Sequence, residues 1–324
     1  MPIDLSVVGR ELEASTAAWT EKDVELYALG VGETSLPFTY ESDLKVLPTF
    51  AVIPAFPAMF AMGAAMQVNP LMVLHGEQRI ELPGPIPTRA RVTSTPTVTA
   101  VYDKGPGKGA VVVVEVASRD DKGRLVFKNV FTSFARGEGG FGGERGPSGP
   151  KNTPPDRAPD AVVEMPTLEW QALLYRLSGD MNPLHADPQM AQLAGYPKPI
   201  LHGLCTFGYV GRAVLHTFCG SDPAKLKDFD REIWRDANEG PGESRKPLPS
   251  HKCHIWGANR VTIRKDDEAR IGGECSTDRV GRQVRANREE HFASNPRRLI
   301  RRRRHLDRLS IDQFPAACAV FLGK

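Results

Sequence analysis

The stretch Thr49–Met66, TFAVIPAFPAMFAMGAAM, is apolar on nearly every face, and its reading decides the fold. A helix without a polar stripe is buried on all sides rather than half-exposed. Pro54 and Pro57 interrupt the run, and it is short for a membrane span, so it reads as a core helix. Four runs rich in Val, Thr and Phe follow: LMVLHGEQRIEL (71–82), ARVTSTPTVTAVYDK (90–104), GAVVVVEVASRDD (109–121) and LVFKNVFTSFARG (125–137). Turn residues punctuate them, notably DKGPGKG at 103–109, so they read as strands. An apolar helix followed by such a meander predicts an α+β fold with an antiparallel sheet wrapped around the helix.

Upstream, WTEKDVELYALGVG (19–32) predicts a helix ended by Gly30 and Gly32. The same order of signals returns later. Leu26-Tyr27-Ala28-Leu29-Gly30 resembles Leu174-Tyr175-Arg176-Leu177-Ser178, and VLPTFAVIPAF (46–56) has the layout of ILHGLCTFGYV (200–210). Weak in identity but consistent in order, the repeat predicts two copies of one fold. The copies are 1–136 and 161–230. Between them lies GEGGFGGERGPSGPKNTPPDRAPD (137–160), a Gly/Pro-rich linker. Gly137, Gly139 and Gly142 match GxGxxG, but a dinucleotide fingerprint must open a helix, and the residues that follow cannot form one.

The chain of 324 residues is long enough for two cores, and 40% apolar with 25% charged residues is a soluble globular composition. The net charge of +3 is concentrated: residues 231–324 carry 21 basic and 13 acidic side chains. Five cysteines, at 205, 219, 253, 275 and 318, show no framework spacing and read as reduced thiols. The N-terminus lacks the plan of a secretory signal, and the final LGK is not a peroxisomal address. The expectation is a cytoplasmic protein, with the peroxisome as the alternative in a eukaryote.

The copies differ after their Leu-Tyr helices. The second continues YRLSGDMNPLHADPQ (175–189), while the first has GVGETSLPF, with neither Asp nor His. Taken singly, Asp180 and Asn182 read as residues that close a turn, and His185 as a satisfied, half-buried histidine. Taken together they read as chemistry. Pro183 biases Asn182 toward an extended conformation, so side chains at 180, 182 and 185 can converge on one point. A carboxylate and an imidazole that share a water can move protons in opposite senses. Gly203 heads the second apolar helix, where unpaired N–H groups can stabilise negative charge.

YRLSGDMNPLH with KPILHGLCTFG resembles the signature of the hydratase 2 family, the R-specific (MaoC-like) enoyl-CoA hydratases. The resemblance covers about residues 1–230 and implies a double hot-dog fold, two antiparallel sheets each around a long helix. It implies a reversible hydration of trans-2-enoyl-CoA to (3R)-3-hydroxyacyl-CoA in fatty-acid metabolism. Asp180 and His185 would be the catalytic pair, Asn182 would help hold the site, and the Gly203 N–H would bind the thioester oxygen. His75-Gly76 and Lys104 match positions that contact the acyl-CoA, and the first copy would make room for the acyl chain. Such chemistry needs no metal or redox cofactor. The expected partners are the acyl-CoA thioester and a second copy in a homodimer, with no nucleic acid and no membrane.

The tail departs from this pattern. The family carries strands after the helix ending near Cys219, yet EGPGES (239–244) keeps only the turn letters, and only RVTIRK (260–265) looks strand-like. The reading is a change of translation frame near Phe229–Arg231, with a naturally divergent tail as the alternative. Residues 245–324 are expected to be largely irregular, the second sheet incomplete, and the activity of this chain correspondingly weak. A non-catalytic acyl-CoA binder, or a thioesterase, is therefore the alternative function. Zinc at His251, Cys253 and His254 lacks a partner pair, and Arg301–Arg304 reads as a solvated run rather than a nucleic-acid site. Gly32, which aligns with Asp180, is expected to tolerate alanine without loss of chemistry. Ala55 and Ala58 are expected to line the acyl pocket.

Overall fold

The computed structural model describes residues 3–68, 72–146, 160–232, 260–263 and 269–271. After strand β1 (Ser15–Trp19) comes helix α1 (Glu21–Gly30), whose start is set by Asp23 taking the Thr20 N–H at 2.8 Å. A short helix α2 (Leu36–Thr39) leads to a 3-10 turn at Pro48–Ala51, which runs directly into α3 (Val52–Met66). Strands β2 (Val73–Glu81), β3 (Ala90–Asp103), β4 (Ala110–Asp120) and β5 (Leu125–Ala135) follow. All pair antiparallel, in the order β1-β3-β4-β5-β2. The α+β arrangement is the double hot-dog expected from the sequence, with α3 packed on β3, β4 and β5.

Two expectations about α3 need correction. Its fully buried residues are Val52, Pro54, Ala55, Ala58, Met62 and Met66, while Ile53, Phe56 and Met59 are half-buried and Pro57 and Ala64 are exposed. The helix is therefore not enclosed on every side. Nor is the run short: Pro48–Met66 makes 19 residues, long and apolar enough by length and composition to cross a membrane, but its buried stripe is part of the core.

The second copy opens with β6 (Ala161–Glu164) and α4 (Gln171–Tyr175), continues through α5 (Pro188–Leu193), and reaches its own long helix, α6 (Gly203–Phe218). Strand β7 (Leu226–Glu232) then pairs with β2, Glu77↔Glu232 through Glu81↔Asp228, so one sheet runs from the first copy into the second. Arg79 Nη2 reaches the buried Asp228 carboxylate at 2.6 Å across this join. The register passes regularly through Phe229–Arg231, where the tail was expected to change character. Arg260–Ile263 forms strand β8 against β6, as RVTIRK suggested, and Ala269–Ile271 forms β9 against β7. Within a tail expected to be largely irregular, Ala269–Ile271 adds a short strand that its letters did not suggest. HKCH, Arg301–Arg304 and the remainder of the tail lie outside the described residues.

The copies meet closely. Gly30 at the end of α1 abuts Tyr175 of α4, and its carbonyl accepts from Gln171 Nε2 at 2.6 Å. Tyr209 Oη donates to Gln171 Oε1 at 2.9 Å. On α6, a β-carbon at Gly208 would lie 2.4 Å from Val31, and one at Gly211 would lie 2.3 Å from Thr49. Only glycine lets α6 approach this near. Gly32 is more constrained than its alignment with Asp180 suggested: φ is +71°, and a β-carbon would fall 2.6 Å from Tyr209 Oη. Beside it, the buried Glu33 carboxylate takes the Thr34 and Ser35 N–H groups and pairs with His216 of α6. Burial alone would raise its pKa, but these bonds outweigh burial and hold it at about 2.

The Gly-rich stretch, as far as it is described, folds back on the first copy. Asp103, at the end of β3, accepts N–H bonds from Gly105, Gly140 and Gly142, each at 2.7 Å. The GxGxxG glycines open no helix up to Gly146; two N–H groups of that stretch ligate a carboxylate of the same chain. These bonds, Gly140 first, hold the Asp103 pKa below its ordinary value.

Candidate active site

The stretch 175–189 contains both of the structures its letters allow. A 3-10 turn, Arg176–Ser178, ends α4, and Gly179 turns the chain with φ +142°, a conformation that side chains resist. Asn182 then caps a second 3-10 turn, Pro183–His185, its Oδ1 accepting the Leu184 N–H at 3.0 Å. Asp187 caps α5 in the same way, through Gln189 N–H at 2.8 Å. Asn182 and Asp187 therefore build the loop, and Asp180 and His185 are the groups the loop presents.

Asp180 is half-buried and accepts the Asn182 N–H at 3.2 Å. His185 is buried, and its Nδ1–H donates to the Ile200 carbonyl at 2.9 Å. That bond fixes the tautomer and leaves the Nε2 lone pair free. Burial raises the Asp180 pKa, against the nearby His185 and the Asn182 N–H. Burial lowers the His185 pKa, against the Ile200 carbonyl and Asp180. Both shifts favour the uncharged pair, a carboxylic acid beside a neutral imidazole. Such a pair can give one proton and take another.

A third group, His202, is missing from the sequence-based assignment. It is buried, donates from Nε2 to the Asp180 backbone carbonyl at 3.1 Å, and stacks on His185 with ring centroids 3.7 Å apart. Burial first, and His185 second, push its pKa down to about 3, so the ring is neutral. The signal was available: His202 stands directly before Gly203 in the ILHG letters. It is also the N-cap of α6, so Gly203 begins a helix whose first N–H groups lie beyond the intrahelical ladder. Unpaired backbone N–H donors thus begin directly after His202.

Asp180, His185 and His202 offer ligand atoms within 4.8 Å of one another. The two imidazoles stack at 28° between planes, with Nδ1 of His185 and Nε2 of His202 each engaged with a backbone carbonyl. The other residues expected in the site lie on the first copy's sheet. Gly76 forms a bulge in β2, where a β-carbon would come 3.1 Å from the Thr132 carbonyl oxygen. His75 beside it packs on Phe131, and burial lowers its pKa to about 4 despite the bond from Nε2 to the Glu77 carbonyl. Lys104, in the β3–β4 turn, donates to the Arg145 carbonyl at 2.7 Å and sits over the Tyr102 ring. These three are not among the groups that meet around Asp180.

Comparison with known proteins shows the family of the chain. Residues 18–137 match the MFE-2 hydratase 2 N-terminal domain, and residues 150–230 match the MaoC like domain. A probable enoyl-CoA hydratase 2 of Dictyostelium discoideum is 39% identical over 277 residues, covering 81% of this chain and 90% of that protein. The 3-hydroxyacyl-thioester dehydratase Y of Mycobacterium tuberculosis is 47% identical over 238 residues, covering 70% of this chain and 80% of its own. Among solved structures, a MaoC-like dehydratase from Phytophthora capsici superposes with a TM-score of 0.63 at 34% identity, covering 71% of this chain and 83% of that one. With relatives at 39% and 47% identity that cover most of both chains, the chain belongs to the hydratase 2 family of MaoC-like proteins.

Proposed function

We propose that the chain is an R-specific 2-enoyl-CoA hydratase, adding water reversibly to trans-2-enoyl-CoA to give (3R)-3-hydroxyacyl-CoA in fatty-acid metabolism. The observation that carries this reading is the half-buried Asp180 with the buried His185, beside the opening turn of α6. In a 2-enoyl thioester the β-carbon is electrophilic only when the carbonyl oxygen is polarised, the role assigned to the Gly203 N–H. His185 Nε2 takes a proton from water as its oxygen bonds to the β-carbon. The Asp180 carboxyl delivers a proton to the α-carbon. The pair ends as imidazolium and carboxylate, and one proton passing between them restores it. Asn182 keeps the turn in shape and holds Asp180 through its N–H.

Within this reading the second copy carries the chemistry and the first shapes the acyl site, with His75, Gly76 and Lys104 contacting the CoA thioester. No metal or redox cofactor enters the reaction. A homodimer and a cytoplasmic location belong to the same proposal, with the peroxisome as the eukaryotic alternative. Relatives with hydratase and dehydratase names do not favour a non-catalytic binder or a thioesterase. Incubation with trans-2-enoyl-CoA and chiral analysis of the product tests the reading. The 3R alcohol is expected; the 3S product, or free CoA without hydration, overturns it.

A further inference from the structure

We infer that His202 is the positioning residue of this site, holding the Asp180 backbone, the His185 ring and the start of the Gly203 helix in one arrangement. The inference rests on the proposed hydration and adds a role that neither copy's letters assign. Its side chain makes two kinds of contact, and its backbone carbonyl adds a third. The Nε2–H bond to the Asp180 carbonyl, at 3.1 Å, fixes the backbone from which the acid projects. The ring lies between His185, at 3.7 Å and 28°, and Tyr175, at 4.9 Å and 56°. The His202 carbonyl accepts the Cys205 and Thr206 N–H bonds, at 3.1 and 3.2 Å, that start α6. Acid, base and oxyanion donor thus share one support.

The chemistry of the ring suits that task. With the Nε2–H committed to Asp180, the second nitrogen, Nδ1, is buried without a hydrogen-bond partner. A phenyl ring would fill the same space with no such cost, so packing alone does not account for a histidine here. The donor at Nε2 does. The charged and titratable groups around the ring are Asp180, His185, Arg176 and Tyr175. His202 stays neutral among them, so the imidazolium formed on His185 during the reaction meets no second positive ring.

Two variants separate the contacts. His202→Phe keeps a stacking ring and removes the donor; His202→Gln keeps a donor and removes the ring. Each is compared with wild type and His202→Ala for kcat and KM on a short trans-2-enoyl-CoA, for thermal midpoint, and for the His185 titration followed by NMR. His202→Phe is expected to lose about 100-fold in kcat with KM nearly unchanged, since misplacement of about 1 Å costs about that much. Its His185 titration is expected to move while its thermal midpoint does not, and His202→Gln is expected to recover part of the kcat lost in His202→Ala. Wild-type kcat and an unmoved His185 titration in His202→Phe overturn the inference, as does a loss of kcat that only follows the thermal midpoint across all three variants. Wild-type protein that hydrates nothing overturns the proposed function instead, and the His185 titration then decides the role of His202 by itself.

Discussion

Tyr27 and Tyr175 face each other with ring centroids 6.0 Å apart, each buried and each at the same place in its own Leu-Tyr helix. The turns that follow them therefore start from matching positions on either side of the junction, and they end differently. After Tyr175 the chain presents Asp180 to a site that also holds His185 and His202. After Tyr27 the corresponding turn is closed off: Tyr209 covers Gly32, and Arg212 donates to the Gly32 carbonyl. One copy kept an open turn and the other filled it.

Replacing the acid or the base should remove chemistry and leave the fold. Asp180→Asn and His185→Ala are each expected to lower kcat by about 10²- to 10⁴-fold, the range for a positioned acid or base. The thermal midpoint of Asp180→Asn should stay close to wild type, while that of His185→Ala should fall modestly, because it unpairs the Ile200 carbonyl. Steady-state kinetics beside a melting curve checks both. Near-normal rates would place the acid–base pair elsewhere.

Gly32→Ala should cost stability. Positive φ and the contact with Tyr209 both oppose a β-carbon, and a residue forced into such a conformation costs about 1–3 kcal/mol. Adding Tyr209→Phe removes the nearest atom and should restore part of the loss. Folded Gly32→Ala protein should still hydrate substrate. A melting temperature equal to wild type would show that the turn can relax.

Chain-length preference should respond to Ile53 rather than to Ala55 or Ala58. Ala55 and Ala58 are fully buried in the core stripe, so larger residues there overpack it, typically costing about 1–3 kcal/mol. Ile53 is half-buried, and its Cγ2 would lie 3.7 Å from a β-carbon at Gly179, next to Asp180. Ile53→Ala is expected to raise kcat/KM on long or bulky acyl chains relative to short ones, and Ile53→Phe to reverse the ratio. Equal changes at every length would assign Ile53 to packing alone.

The Glu33–His216 pair gives a pH signature. A carboxylate whose folded pKa is about 2, below the ordinary 4.5, contributes stability that is fully present above about pH 4.5. That contribution fades as the pH falls from there toward 2. Denaturant melts at pH 3 and pH 6 should therefore differ less for Glu33→Gln than for wild type. An identical difference in both proteins would show that the carboxylate carries none of the acid sensitivity.

What was legible in the letters was local. The strands β2 to β5 alternate or run apolar in their own sequence, and Gly179-Asp180, Asn182-Pro183 and His185 stand within seven residues. The repeat was visible because both long helices are apolar and both follow a Leu-Tyr helix. Pairings across long separations left no such mark. His216 meets Glu33 from 183 positions away, and in LKDFDRE (226–232) the buried Asp228 takes its partner Arg79 from 149 positions away. The half-exposed side of α3 escaped notice because an apolar helix looks alike from every direction.

The join between β2 and β7 has a consequence for any shortened form of the chain. Without β7, the backbone groups of Glu77–Glu81 that it pairs would become an open strand edge beside a Val- and Phe-rich sheet. Such an edge recruits strands from other molecules. The seven residues 226–232 therefore act as a guard against self-association, and a fragment ending before Leu226 should form soluble aggregates or precipitate even though the first copy holds most of its own core.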